Sequence, residues 1–161
     1  MKYLFLPVLS LLSVTAQMIA GNNFFIFNYL DLALVLIAYW AVYHSRTQAL
    51  FVGSLTGLLL DAAMGWPLGY NGFSKTLAAL ILGQSWKRFN TRESWVQFII
   101  IAVSSTASSL SIFVLFWIMQ KNANPIYLRS SLIRAVITAF ITILLFALLK
   151  TYKPKLTKKA K

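Results

Sequence analysis

The chain has no cysteine, one histidine (His44), four prolines and only three acidic residues, Asp31, Asp61 and Glu93, in 161 positions. Without cysteine there is no disulfide framework, no thiolate metal site and no thiol nucleophile. A single histidine cannot build a multi-histidine metal centre. Charge is scarce as well: 11% of residues are charged, against about 25% in an ordinary soluble domain. Apolar residues fill the space. They make up 59% of the chain, and the mean hydropathy is +0.73. Such a composition describes an integral membrane protein with no separate soluble domain. At about 20 residues per span, 161 residues leave room for five or six crossings.

Charged and turn-rich punctuation divides the apolar sequence into six candidate spans, at about 3–20, 24–43, 48–64, 71–86, 94–119 and 126–149. The fold expected is all-α, a six-transmembrane-helix bundle occupying residues 1–149 and followed by a basic tail, 150–161. With the N-terminus in the cytoplasm, Lys2, Arg46, Lys87, Arg88, Arg92 and the six lysines from Lys150 to Lys161 fall inside, which is 11 of the 15 basic residues. Only Lys121 and Arg129 fall in an outer loop or at its edge, while Lys75 and Arg134 lie within spans. That is the bias of the positive-inside rule, and it places both termini in the cytoplasm. Trp40, Trp66, Trp86, Trp95 and Trp117 lie near predicted span ends, as interfacial tryptophans do. The first segment has a second reading, a cleaved signal peptide ending near Val14-Thr15-Ala16, which would leave five spans. The retained helix is favoured, because a multi-span protein can use its first span for insertion.

Asp61 is the most informative residue. It sits in Gly57-Leu-Leu-Leu-Asp61, just before the turn Gly65-Trp-Pro67-Leu-Gly69. A charged Asp at mid-membrane costs roughly 2.5–3.5 kcal/mol on insertion scales, so it is expected to be paired or functional. Lys75 lies about one turn into the next span and is the expected partner of Asp61. Asp31 and Arg134 lie at similar depths by helical rise and form the second expected pair. A packing role and a direct partner-binding role weigh about equally for Asp61. Gly53-Ser-Leu-Thr-Gly57 is a GxxxG, and Ser104, Ser108 and Ser111 recur at helical spacing. Both patterns point to close helix contacts, with tight packing inside the bundle weighing more than a polar crevice.

Asp31-Leu-Ala-Leu-Val-Leu-Ile-Ala-Tyr-Trp-Ala, Gly57-Leu-Leu-Leu-Asp61 and the Gly65–Gly69 turn resemble the bacterial rod shape-determining MreD family. The specific matches run from about Asp31 to Phe73; beyond them the likeness is one of layout. The resemblance implies a non-enzymatic, multi-pass subunit of the cell-elongation machinery in the bacterial cytoplasmic (inner) membrane. It implies a bitopic MreC-like partner and, through that complex, MreB, RodA and a penicillin-binding protein active in peptidoglycan synthesis. The candidate structural or partner-binding residues are Asp31, Gly57, Asp61, Gly65, Pro67, Gly69, Lys75 and Arg134.

Other classes find less in the sequence. Two intramembrane aspartates suggest an aspartic protease, yet both follow leucine rather than that class's Tyr-Asp and Gly-x-Gly-Asp contexts. No phosphate-binding loop, Ser/His/Asp set or zinc spacing occurs, so no enzyme and no cofactor are expected. The net charge of +12 resides at membrane boundaries, which argues for anionic lipid at the tail and against nucleic acid. The alternative function is the substrate-binding subunit of an energy-coupling-factor-type vitamin transporter. That class has six spans and a small-xxx-small first helix, which Ala16-x-x-x-Ala20 loosely resembles. Trp66, Tyr70, Asn71 and Tyr127 would supply its pocket.

Overall fold

In lipid a backbone that is neither helical nor closed into a barrel leaves N–H and C=O groups unsatisfied at several kcal/mol each, so long apolar runs fold as helices. The computed structural model describes residues 5–23, 29–89, 93–120 and 126–152. They form six helices: α1 Phe5–Asn23, α2 Leu32–Tyr43, α3 Arg46–Met64, α4 Tyr70–Arg88, α5 Ser94–Gln120 and α6 Ile126–Tyr152. No strand occurs among the described residues. Among the described residues three helical segments are long and apolar enough to cross a membrane: Arg46–Met64, Ser94–Met119 and Ser131–Leu149. Leu6–Ile19 and Leu32–Tyr43 are shorter apolar segments, and α4 carries more polar residues.

Local chemistry sets the boundaries. Ser45 and Gln48 form a reciprocal capping box, so α3 begins two residues before its apolar run. Gly65, with φ +67°, ends α3 in the left-handed conformation that only glycine adopts freely. Gly69, at φ +112°, turns the chain back into α4. The second helix differs from expectation. The run from Phe24 reads as helix by apolarity, but α2 starts at Leu32, because the Asp31 side chain accepts the Leu34 N–H and caps it there. Residues 24–28 lie outside the described set. So do residues 121–125 and 153–161, and with them most of the basic tail.

α2 is the hub. It is apolar all round and packs against α1, α3, α4 and α6, as expected of a buried rather than a lipid-facing helix. Leu34, Ile37 and Ala38 have no exposed surface. Around it, α3 and α4 make the most extensive contact, α5 packs on α4 and α6, and α6 touches α2 over a small patch only. At one end of the bundle, Phe146 of α6 meets the Tyr43 and Trp86 rings edge-on at 5.8 and 6.0 Å.

Apolar side chains gain little by leaving lipid for protein, so close approach of backbones and interhelical hydrogen bonds must hold membrane helices together. The α3–α4 seam shows this directly. A Cβ added at Gly57 would stand 2.6 Å from both the Asn71 carbonyl carbon and the Gly72 Cα. At Gly53 it would stand 2.8 Å from the Lys75 carbonyl oxygen. The GxxxG is thus buried within the chain's own bundle. Gly57→Ala should therefore force α3 and α4 apart and cost about 1–3 kcal/mol of stability, as overpacking does. Ala62→Val, on the exposed side of the same helix, should be nearly neutral. Thermal unfolding of the two variants in detergent measures the contrast.

Candidate functional site

Two buried polar centres lie where the helices converge, and Asp61 makes the first. It sits one turn before the end of α3 and is fully buried. Its backbone carbonyl accepts the Trp66 N–H at 3.0 Å and also the Gly65 N–H, closing the helix end. The carboxylate reaches across the turn to the start of α4. Oδ2 accepts the Gly69 N–H at 2.8 Å and the Gly72 N–H at 3.2 Å. Oδ1 accepts the Asn71 N–H at 2.9 Å and the Asn71 Nδ2 at 3.0 Å.

The first amides of a helix have no intrahelical acceptor, and Gly69 at the N-cap of α4 has no side chain to supply one. Asp61 supplies it from the preceding helix. Four donors fill the acceptor sites of one carboxylate, and the positive end of α4 faces its charge. The turn between is seated by aromatic contacts: Trp66 and Tyr70 lie 5.2 and 4.9 Å from the Phe116 ring of α5. Leu68 and Pro67 at its tip are exposed.

Asp31 makes the second centre and draws four helices together. From the N-cap of α2, its Oδ1 accepts the Leu34 N–H at 3.1 Å. Its Oδ2 forms a salt bridge with the Lys75 ammonium of α4, both side chains being 4% exposed. Its backbone N–H donates to Thr138 Oγ1 of α6 at 3.2 Å. Two residues on, the Ala33 N–H donates to Gln17 Oε1 of α1 at 3.3 Å. Beside Lys75, Ser74 donates to the Ser108 carbonyl of α5 at 2.8 Å. Ser104 and Ser111 of α5 turn back to their own helix, to the Ile100 and Ser108 carbonyls, while the Ser108 hydroxyl meets that of Ser74.

These contacts correct the expected pairing. Lys75 binds Asp31 rather than Asp61, and Arg134 forms no salt bridge with Asp31. The reason is local: backbone amides already fill Asp61, whereas Asp31 uses one oxygen as a cap and leaves the other for an ammonium. Arg134 lies one turn before Thr138, half-buried, close enough to act electrostatically on Asp31 and Lys75. Its Nε is buried with no hydrogen-bond partner. Of the other candidates, Gly57 sits in the α3–α4 seam, and Gly65, Pro67 and Gly69 form the turn that Asp61 ties.

The sequence reading gave Asn71 only to the pocket of the alternative function and assigned no interhelical contact to Gln17 or Thr138. Only Asn71 carried a usable signal, a polar residue just inside a helix start that follows a glycine. Chemically the centres hold helices together. The two carboxylates have separate partners rather than a shared proton, and His44, exposed at the end of α2, packs edge-on against Tyr39 and Trp40. Among the described residues no three of His, Cys, Asp and Glu cluster as a metal site would require.

A family model described as rod shape-determining protein MreD matches residues 1–152. No curated protein and no solved structure matches the chain.

The corrected pairing is testable by double substitution. Asp31→Asn keeps an oxygen for the cap but strands a buried ammonium, and should cost about 3–5 kcal/mol. Adding Lys75→Met should restore much of that loss, because removing both partners is milder than removing one. The combination of Asp61→Ala with Lys75→Met should show no such recovery. Yield and thermal unfolding of the membrane-extracted protein read the difference; recovery in the Asp61 series would contradict the pairing.

Proposed function

The chain belongs to the MreD family of rod shape-determining membrane proteins, and from that premise we propose that it is a non-enzymatic assembly subunit of the bacterial elongation machinery. In this reading it lies in the cytoplasmic (inner) membrane and binds a bitopic MreC-like protein through its spans and outer turns. Through that complex it couples MreB filaments to RodA, a penicillin-binding protein and peptidoglycan synthesis. The observation that carries the scaffold reading is the use of the buried charges. Asp61 is engaged by four N–H donors and Asp31 by Lys75 and the α2 amide. Each carboxylate fixes helix to helix.

In the same proposal all six helices cross the membrane, residues 1–149 being the membrane domain, with both termini cytoplasmic. The charge bias of the loops supports this orientation. α2, at 12 residues, spans about 18 Å; its central position lets neighbouring helices rather than lipid cover its ends. Residues 150–161 act as a polybasic strip on anionic lipid, at about 1 kcal/mol per lysine near the surface. The family match gives no support to the vitamin-transporter alternative. Three of the four groups suggested for its pocket are engaged elsewhere: Trp66 and Tyr70 pack on Phe116, and Asn71 binds Asp61, while the Tyr127 side chain lies outside the described set.

Reporters fused after Thr91 and after Lys161 should read cytoplasmic, and one after Asn122 external. An external C-terminus would refute the topology. Tagged protein should co-purify the MreC of its own host without added vitamin or ATP, and its depletion from a rod-shaped host should round the cells. Rods persisting after complete depletion, with no MreC recovered, would refute the function.

A further inference from the structure

Asp31, Lys75 and Arg134 bring one negative and two positive charges together from the cap of α2 and from α4 and α6. Asp31 and Lys75 are buried and paired, and Arg134 is half-buried. The other two acids of the chain are engaged elsewhere. Asp61 accepts four N–H groups, and Glu93 accepts the Trp95 indole N–H at the exposed start of α5. Lys75 and Arg134 therefore have one carboxylate between them. An arginine guanidinium stays charged in any protein environment, and charges inside a span pair with one another or with backbone carbonyls.

Asp31 is placed to serve both cations. Its Oδ1 is committed to the Leu34 amide, and its Oδ2 takes the Lys75 ammonium. A carboxylate offers about four acceptor sites, so Oδ2 has capacity beyond one ammonium. On the α6 side the contact is already made, because the Asp31 N–H donates to Thr138 Oγ1 at 3.2 Å. Arg134 precedes Thr138 by one turn, so the two are neighbours on one face of α6, with Cβ atoms about 5–6 Å apart. The arm of Arg134 lies against protein: its Nε is buried and has no hydrogen-bond partner among the described residues. The guanidinium is within electrostatic reach of both members of the pair, attracted by Asp31 and repelled by Lys75.

We infer that Asp31 is a shared carboxylate and that Arg134 is its second partner, a latch between α6 and α2. With Lys75 in place, the Thr138 hydroxyl fastens α6 to the start of α2. With Lys75 withdrawn, the Arg134 guanidinium closes onto Oδ2 and clamps the two helices together. The Asp31–Arg134 salt bridge, absent while Lys75 occupies Oδ2, is the second state of the latch. Loss of the ammonium removes the repulsion that holds the guanidinium off and leaves one charge of each sign. The guanidinium fork can then donate two N–H groups to the carboxylate. Because α6 touches α2 over a small patch only, the choice of partner sets how firmly α6 is held there. The exchange moves side chains and leaves the order of the helices unchanged.

The test uses full-length protein purified in detergent and reads two quantities. The first is the melting temperature of wild type, Lys75→Met, Arg134→Gln and the double variant. Lys75→Met should lower it only slightly, and far less than Asp31→Asn, because Arg134 takes over the carboxylate. Arg134→Gln should change it little, because Lys75 is already in place. The double variant strands Asp31 and should lose clearly more than the two single losses added, which marks coupled sites. Arg134→Lys in place of Arg134→Gln should give part of that loss back. The second quantity is the Arg134 Nε–H resonance in protein carrying isotope-labelled arginine, assigned by its disappearance in Arg134→Gln. It should shift in Lys75→Met and exchange more slowly with water, and adding Asp31→Asn should abolish both changes.

Additive losses in the double variant would overturn the latch, since the two cations would then act independently. So would a Lys75→Met loss as large as that of Asp31→Asn, or an Arg134 Nε–H signal that is the same with and without Lys75. If the double variant gives no folded protein, adding Asp31→Asn should restore folding, because no charge of the three is then left. A triple variant that stays unfolded would refute the shared carboxylate.

Discussion

A carboxylate inside lipid has to find donors, and the way Asp61 finds them shapes the centre of this protein. Its two oxygens take the amides of Gly69, Asn71 and Gly72 and the Asn71 side chain. A residue of α3 thereby becomes the cap of α4. Hydrogen bonds to a charged group contribute about 1.5–3 kcal/mol each in favourable cases, and a membrane offers no water to replace them. The tie fixes the reversal between α3 and α4 and brings the start of α4 against Gly57, where a methyl group would not fit. Gly65 and Gly69 provide the backbone conformations that let so short a turn connect two long helices.

The second polar centre extends the same logic across the bundle. Asp31, Lys75, Thr138 and the Gln17–Ala33 contact attach α4, α6 and α1 to α2. With apolar burial nearly neutral between lipid and protein, these contacts specify which helices are neighbours, while small residues decide how closely they approach. The contacts that fix these neighbours belong to a member of a rod shape-determining family.

Much of this was legible in the sequence, and the failures have physical causes. Apolar run length places five of the six helices within a few residues, because in lipid a long apolar run has no alternative to helix. α2 is the exception. Phe24-Phe-Ile-Phe27 has the composition of helix, and only the cap made by Asp31 reveals that α2 starts at Leu32. The turn at Gly65–Gly69 was readable from glycine and proline chemistry. The ion pairing was not. Counting residues along helices gives depth, but which residues face each other depends on rotation about each helix axis. It also depends on whether backbone amides reach the carboxylate first. Arg134 could be seen as an intramembrane charge from the sequence; that its Nε lacks a partner required the fold.

Amide hydrogen exchange at Gly69, Asn71 and Gly72, in wild-type protein and in Asp61→Asn, tests most directly whether Asp61 caps α4. In the wild type these three amides should exchange slowly despite standing in the first turn of a helix, where intrahelical acceptors are lacking. In Asp61→Asn, which has a similar shape but one oxygen and no charge, they should exchange much faster while amides in the middle of α3 and α4 stay protected. Equal protection of the three amides in both proteins would contradict the account.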